Sequence, residues 1–393
     1  MNNISIQRME EPNMTMFNFT EEQVMIRDMV REFTKNEVEP RDKWMDENGF
    51  DYELHQKLTQ AGLMGIHLDE KYGGGGGDAV TSIIVIHEIA KGSASAALFL
   101  DADWLAADLI LHHGTEAQKD KYLPQAAQGK IFAFGLTESG AGSDAAGIKS
   151  TCLPAPDGGW VLNGGKAWIT NSGVADYYII LAKTDPDAGS KGISAFILPK
   201  DAEGLTIGKF EDKMGMRGSA TCELGFDNIH LPADALLGEL GHGFKYAMEA
   251  LDGARISIGA IAAGLSEHAM TIAKNYANER MTFGKPIAKH QGIQFKFADM
   301  SAEIRAMELM TYDTALMKAK GMRHTLEAAQ TKLFSGTHAT QICLECQQVL
   351  GGNGYSKEYH VERFVRDAKL LEIGEGTNEI LRMLIGGTVL GGK

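Results

Sequence analysis

Glu375 has the setting that most invites chemistry. It lies between Gly374 and Gly376 in residues 372–382 (EIGEGTNEILR), just before a helix expected to open at Thr377. A carboxylate there either caps the helix or acts as a base; lone carboxylates at helix starts are usually caps, so the segment alone favours the cap. A second segment, 135–147 (GLTESGAGSDAAG), sets the hydroxyls of Thr137 and Ser143 among glycines. Glycine-freed amides with such hydroxyls can form a nest for an acidic or carbonyl-rich group; the plainer reading is a loop before a strand. A third, 348–367 (QVLGGNGYSKEYHVERFVRD), ends one helix, turns on three glycines and starts another. Its glycines would let a ligand approach the backbone closely.

Other candidates read more plainly. Cys343 and Cys346 have a redox or zinc spacing, but no second pair accompanies them and a helix surrounds them, which favours packing. His112 and His113 have no third ligand at suitable spacing, so a helix-end role and no metal are expected. The glycine run at 72–78 (YGGGGGD) lacks a following Gly-Lys-Ser/Thr and a preceding strand, and reads as a turn.

The elements that must position these residues follow from composition and pattern. The 393 residues allow two or three domains. A hydrophobic share of 44% and a charged share of 23% exclude a disordered chain and a coiled coil. Against 52 acidic residues stand 38 basic ones, a net charge of −14, which makes general nucleic-acid binding unfavourable. A local pocket can still take a small anion. Four cysteines are too few for a disulfide scaffold and fit a reducing compartment. The N-terminus has no secretory pattern and no run approaches the ~20 apolar residues of a membrane helix, so no membrane insertion and a cytoplasmic setting are expected.

Residues 1–16 lack periodicity and read as a flexible extension, with order expected from Phe17. Residues 17–133 read as helical, opening at a Thr20 cap with Glu21, Glu22 and Gln23 behind it. Residues 134–250 carry short β-rich runs at the spacing of an antiparallel barrel or sandwich. Residues 251–393 return to long amphipathic helices, broken near Gly284, Gly321 and Gly351. Helices, strands, then helices make a segregated α+β chain, and no Gly-x-Gly-x-x-Gly joins a strand to a helix as a Rossmann unit would require.

Together and in order, these segments resemble the acyl-CoA dehydrogenase family, flavoenzymes that oxidise acyl-CoA thioesters between Cα and Cβ. The resemblance runs from about Phe17 to the end. It is carried also by 164–171 (GGKAWITN), 213–219 (KMGMRGS), 251–255 (LDGAR) and 279–287 (ERMTFGKPI). It implies an N-terminal helical domain, a middle β-barrel domain and a C-terminal four-helix bundle, with FAD between the last two. Leu136, Thr137, Gly142, Ser143, Trp168 and Thr170 fall on positions lining the flavin and its ribityl chain. Arg280, Phe283, Gln291, Gln348 and Gly352 fall on positions gripping FAD from a neighbouring subunit, which implies a homotetramer. Thr377 and Glu379 match positions near the FAD diphosphate, and Arg255 one near the CoA adenine. Ser143 and Gly376 count also among the substrate positions.

The resemblance makes Glu375 the base. A hydrogen α to a thioester is weakly acidic and needs a positioned base and a stabilised enolate. The Glu375 N–H and a ribityl hydroxyl would hold the thioester oxygen while the β-hydrogen leaves as hydride to the flavin. Burial is expected to raise the Glu375 pKa. Some relatives place the base just before the arginine of Leu-Asp-x-x-Arg; here that residue is Ala254, which leaves Glu375.

Two departures bear on the acyl group. Many straight-chain relatives have Tyr where this chain has Gly374, which either opens space beside Cα and Cβ for a branched chain or is a neutral exchange. Asp101 falls on a helix expected to line the acyl pocket. It would read a polar acyl group, act as a second base for an alicyclic ring, or simply point away or cap a turn. Trp104 would close the pocket short. The expected function is dehydrogenation of a short, branched or alicyclic acyl-CoA, with electron-transfer flavoprotein as acceptor. An acyl-CoA oxidase or enoyl-CoA reductase on the same fold, or a flavin-free acyl-CoA-binding protein, are the alternatives.

Overall fold

The computed structural model describes residues 19–391. The extension expected at 1–16, and the start of order at Phe17, lie outside the described residues. Six helices come first: α1 (Glu21–Phe33), α2 (Asp42–Asn48), α3 (Tyr52–Gln60), α4 (Ala79–Ala90), α5 (Ala94–His113) and α6 (Glu116–Ala127). Thr20 caps α1 as expected: its hydroxyl accepts from Gln23 N while the Gln23 side chain accepts from Thr20 N. The glycine run is a tight turn packed on backbone, since a Cβ on Gly74 would stand 2.1 Å from the Leu68 carbonyl oxygen. Most residues of α4 and α5 are buried.

The strands are β1 (Phe132–Gly135), β2 (Thr151–Pro154), β3 (Trp160–Thr170), β4 (Tyr177–Lys183), β5 (Ile193–Pro199), β6 (Leu205–Ile207), β7 (Thr221–Leu231) and β8 (Leu236–Leu237). They form one sheet in the order β6-β7-β3-β2-β4-β5-β8, with β1 beside β4. Pairing is antiparallel except where β1 and β2 meet β4 in parallel, so the sheet is mixed. The β3–β7 ladder slips between Lys166 and Ile169, and Trp168 leaves it with φ 60°. Two buried side chains of this region tie sheet to helices. Asp103 on α5 accepts from Phe132 N at 2.6 Å, and Asn171 donates to the Phe99 carbonyl at 2.9 Å.

The C-terminal part contains α7 (Gly243–Glu279), a short hairpin of β9 (Met281–Thr282) and β10 (Lys285–Pro286), then α8 (Gln291–Ala319), α9 (Thr325–Leu350), α10 (Val361–Leu370) and α11 (Asn378–Val389). Phe283 and Gly284 at the hairpin tip have φ 49° and 77°, the pattern of a type I′ turn. By length and composition α7 could cross a membrane, but 72% of that apolar window is buried within the fold. Its apolar face joins α4, α5, α8, α9 and α10 in one core that unites both helical parts. Two further ion pairs cross between the halves, Asp42 with Arg363 and Asp46 with Arg366.

Candidate active site

The turn between α10 and α11 holds Glu375. Thr377 caps α11 by accepting from Ile380 N, so Glu375 is not the cap and its carboxyl is free of that duty. Glu375 sits in the left-handed region at φ 54°, and Gly376 follows at 95°. A non-glycine residue in this region costs about 1–3 kcal/mol and persists only where its surroundings enforce it. Three side chains do so. Arg255 on α7 donates from Nε to the Glu375 carbonyl at 3.4 Å and is itself fixed by Asp252 at 2.7 Å. Lys332 on α9, fully buried, donates from Nζ to the Gly376 carbonyl at 2.6 Å. Asn378 donates to the Thr337 hydroxyl at 3.1 Å. Burial pushes the Glu375 carboxyl above its usual range, against the opposing pull of Arg255 and Lys332. Burial likewise draws the Lys332 ammonium down to about 8, against the pull of Glu375.

A second wall forms around residues 136–143. Lys166 on β3 is buried and donates from Nζ to the Leu136 carbonyl at 3.1 Å and to Glu138 at 2.7 Å. Glu138 also accepts from the amides of Lys149 and Ser150. Ala167 N donates to the Thr137 carbonyl at 2.9 Å. The loop is thus held from beneath, with Leu136 buried. Its outer face is open: a Cβ on Gly142 would meet nothing, and Ser143 is exposed. Trp168 beside it is 62% exposed, with Thr137 and Thr170 half-buried.

A cavity of about 170 Å³ lies between α5 and α7, with Asp101, Trp104, Ala254 and Ser257 in its walls. Asp101 therefore faces inward and neither points away nor caps a turn; Ser93 caps α5. Burial pushes Asp101 up to about 8; the Ser257 hydroxyl eases that rise and the Glu375 charge adds to it. Trp104 is anchored by its indole N–H to the Met64 carbonyl at 2.9 Å. A Cβ on Gly374 would make only ordinary contacts with Leu370, at 3.6 Å and beyond, so the backbone does not require glycine there. Space, not strain, is what this glycine supplies.

The remaining sequence-derived positions lie elsewhere. Arg280, Phe283, Gln291, Gln348 and Gly352 are all exposed, and Phe283 is 96% so. No hydrogen bond or ion pair among the described residues ties them to the Glu375 turn or the 136–143 loop. Glu379 stands in the first turn of α11 and pairs with Arg382 at 3.0 Å. Arg255 has a side chain only 7% exposed, committed to Asp252 and to the Glu375 carbonyl. Cys343 and Cys346 are packed inside α9, where burial pushes both thiols up.

Three family models match in order: the N-terminal domain of acyl-CoA dehydrogenase over 20–130, its middle domain over 133–229 and its C-terminal domain over 241–390. This chain belongs to the acyl-CoA dehydrogenase family. A relative from Clostridium acetobutylicum named "Acyl-CoA dehydrogenase, short-chain specific" is 44% identical, over 95% of this chain and 99% of its own length. The solved structure of butyryl-CoA dehydrogenase from Megasphaera elsdenii superposes with a TM-score of 0.93 at 42% identity, covering 95% of this chain and 99% of that one. A structure named for the electron transferring flavoprotein of Acidaminococcus fermentans contains a chain with TM-score 0.93 and 41% identity, covering 95% and 99%. As a member of this family the protein is a flavin-dependent acyl-CoA oxidoreductase, and its cofactor is FAD.

The residues present suit a flavin. An exposed indole, the hydroxyls of Thr137, Ser143 and Thr170, and glycines with open space above them make a surface that can take a ring and a polyol chain. Sequence reasoning missed the residues that hold this surface and the Glu375 turn in place: Lys332, Lys166 and Glu138. Lys332 did carry a signal. It stands at i±3 and i±4 from Ala328, Ala329, Ser335 and Gly336, on the small buried face of α9, where a lysine needs a buried acceptor. A third cluster, His87, Glu267 and Glu308, has metal-like spacing. It is closed by its own partners: His87 is engaged by Tyr312 and Glu267, and Lys91 pairs with Glu267.

Proposed function

We propose that the protein dehydrogenates a short acyl-CoA between Cα and Cβ, with Glu375 removing the α-proton. The observation that carries this is the Glu375 turn. A carboxylate is held in a left-handed conformation by Arg255 and Lys332, excused from capping by Thr377, and raised in pKa by burial. A raised pKa brings the base closer to the acidity of the proton it must take. The Glu375 N–H has no acceptor among the described residues, so the same residue supplies a donor for the thioester oxygen. Arg255 and Lys332 add positive charge where the enolate forms. FAD, when bound, accepts the β-hydrogen as hydride.

Leu136, Thr137, Gly142, Ser143, Trp168 and Thr170 would line the flavin and its ribityl chain. Thr377 and Glu379 lie at the N-terminus of α11, where the helix end suits a diphosphate and the Glu379 N–H has no acceptor among the described residues. Arg280, Phe283, Gln291, Gln348 and Gly352 would reach the FAD of a neighbouring copy in a homotetramer. An aromatic ring 96% exposed at a hairpin tip supports that reading, because water is a poor neighbour for it. Electron-transfer flavoprotein is the proposed acceptor.

The acyl group is short, branched or alicyclic. Trp104 limits depth and Gly374 leaves width beside Leu370, while the relatives named for short-chain and butyryl substrates support a short chain only. The test is anaerobic titration of the FAD-loaded protein with straight, branched and alicyclic acyl-CoAs. Bleaching of the flavin by a short branched or cyclic thioester is the expected result. Bleaching only by long straight chains removes the substrate reading, and bleaching by none removes the dehydrogenase direction.

A further inference from the structure

The cavity between α5 and α7 holds more polar chemistry than an aliphatic tail needs. His67 lines it with a side chain 6% exposed, and neither ring nitrogen has a hydrogen-bond partner among the described residues. Nε2 stands 3.4 Å from an Asp108 oxygen without bonding to it. The ring rests against Trp104, centroids 5.0 Å apart, and Trp104 is pinned to Met64, so the imidazole has little freedom to turn away. Burial lowers His67 to about 4, which leaves it neutral at pH 7 with one donor and one acceptor. Asp101 and Ser257 share the same cavity. With its pKa near 8, Asp101 is mostly a neutral acid there, able to donate as well as accept. Of the other charged residues in the lining, Lys318 is basic and Asp108 and Glu249 are acidic, so the walls do not favour an anionic tail.

Unpaired buried polar groups cost about 1–3 kcal/mol each. Both His67 nitrogens are left unpaired beside the Asp101–Ser257 pair in one space of about 170 Å³, which is better explained by a ligand group that pairs with them. The cavity also adjoins the reacting end. Ala254 and Ile256 in its wall flank Arg255 on α7, which touches the Glu375 carbonyl, and the Asp101 carboxyl feels the Glu375 charge.

Resting on Glu375 as the base, the geometry points to a distal subsite for a neutral hydrogen-bonding group: the acyl chain carries a hydroxyl or carbonyl oxygen, received by Asp101, His67 and Ser257. Lys318 does not make it an anion site, because Asp108 and Glu249 line the same cavity. Trp104 and Leu105 supply the apolar walls for the carbons in between.

The test compares two thioesters of equal size, 4-hydroxybutanoyl-CoA and pentanoyl-CoA, on the FAD-loaded protein. A preference of at least tenfold in kcat/KM for the hydroxylated substrate is expected. Asp101→Leu and His67→Phe should each remove that preference, mainly through KM, while Asp101→Asn, which keeps shape and hydrogen bonding, retains most of it. Equal use of the two, or preference for pentanoyl-CoA, overturns the subsite and leaves a cavity that merely holds water. Preference for glutaryl-CoA over both overturns the neutral class and assigns the cavity to Lys318. Dissociation constants of the same thioesters for Glu375→Gln give the ranking without turnover. A wrong assignment of the base would appear as residual turnover in Glu375→Gln and leave that ranking intact.

Discussion

The turn at Glu375 and the cavity at Asp101 are both polar places inside an apolar fold, and they are built in opposite ways. At the turn, most polar groups have partners. Arg255 is fixed by Asp252, Lys332 by the Gly376 carbonyl, Asn378 by Thr337, and the backbone accepts a strained φ. In the cavity, His67 is unpaired and Asp101 is kept neutral by burial. Paired groups define a geometry before any ligand arrives, which is what a base must have. Unpaired groups define a preference that only a ligand completes, which is what a specificity pocket must have. The contrast separates residues that should govern rate from residues that should govern choice.

The sharpest way to break the contrast is Glu375→Gln. Turnover should fall by about 10²–10⁴ with FAD retained, as for loss of a general base. A variant keeping a tenth of its activity would move the proton transfer elsewhere and make the turn merely structural. Next is Lys332→Met, expected to lower kcat by about tenfold through loss of a positioning charge. Glu375 works ionised and its pKa is raised, so activity should rise with pH through a midpoint above the ordinary glutamate value. Lys332 favours the ionised form, so its removal should shift that midpoint to higher pH; an unmoved pH profile would reduce Lys332 to packing.

Gly376→Ala comes third. At φ 95° any side chain is strained whatever the space, so a loss of about 1–3 kcal/mol and a lower melting temperature are expected. Gly374→Ala is the control, expected to be nearly silent in stability. The smallest effect on turnover of a good straight-chain substrate should come from Asp101→Asn, whose signature is stability against pH. The folded pKa is near 8 and the ordinary value 3.8, so between those values the folded state binds more protons. Stability contributed by the neutral form is then lost as pH rises across the window, at about 1.4 kcal/mol per pH unit. Asp101→Asn should melt above the parent at pH 8 and converge with it toward pH 4. Parallel melting curves would mean that Asp101 is not held neutral.

What could be read from the sequence was mostly what is local. The Thr20 capping box, the turn of five glycines and the order helix, strand, helix depend on residues close along the chain. The Glu375 turn was visible because its glycines flank it directly. Its supports were not, since Arg255 and Lys332 lie on other helices, 120 and 44 residues from the atoms they bind. Lys166 likewise reaches back 30 residues to the Leu136 carbonyl. Asp101 and Asp103 show the same limit at short range. They are alike in sequence, but residues two apart on a helix face different ways. One lines a cavity and the other grips a strand.

That division of labour on α5 constrains how the family can diversify here. Because Asp103 is hooked to the amide that opens β1, and Asn171 to the carbonyl of Phe99, α5 cannot slide or rotate to reshape the pocket without unseating the sheet. The floor of the proposed acyl site is therefore a fixed rail carrying exchangeable teeth. New substrates are to be reached by swapping side chains at 101 and 104, one at a time, and hardly ever by moving the helix that bears them.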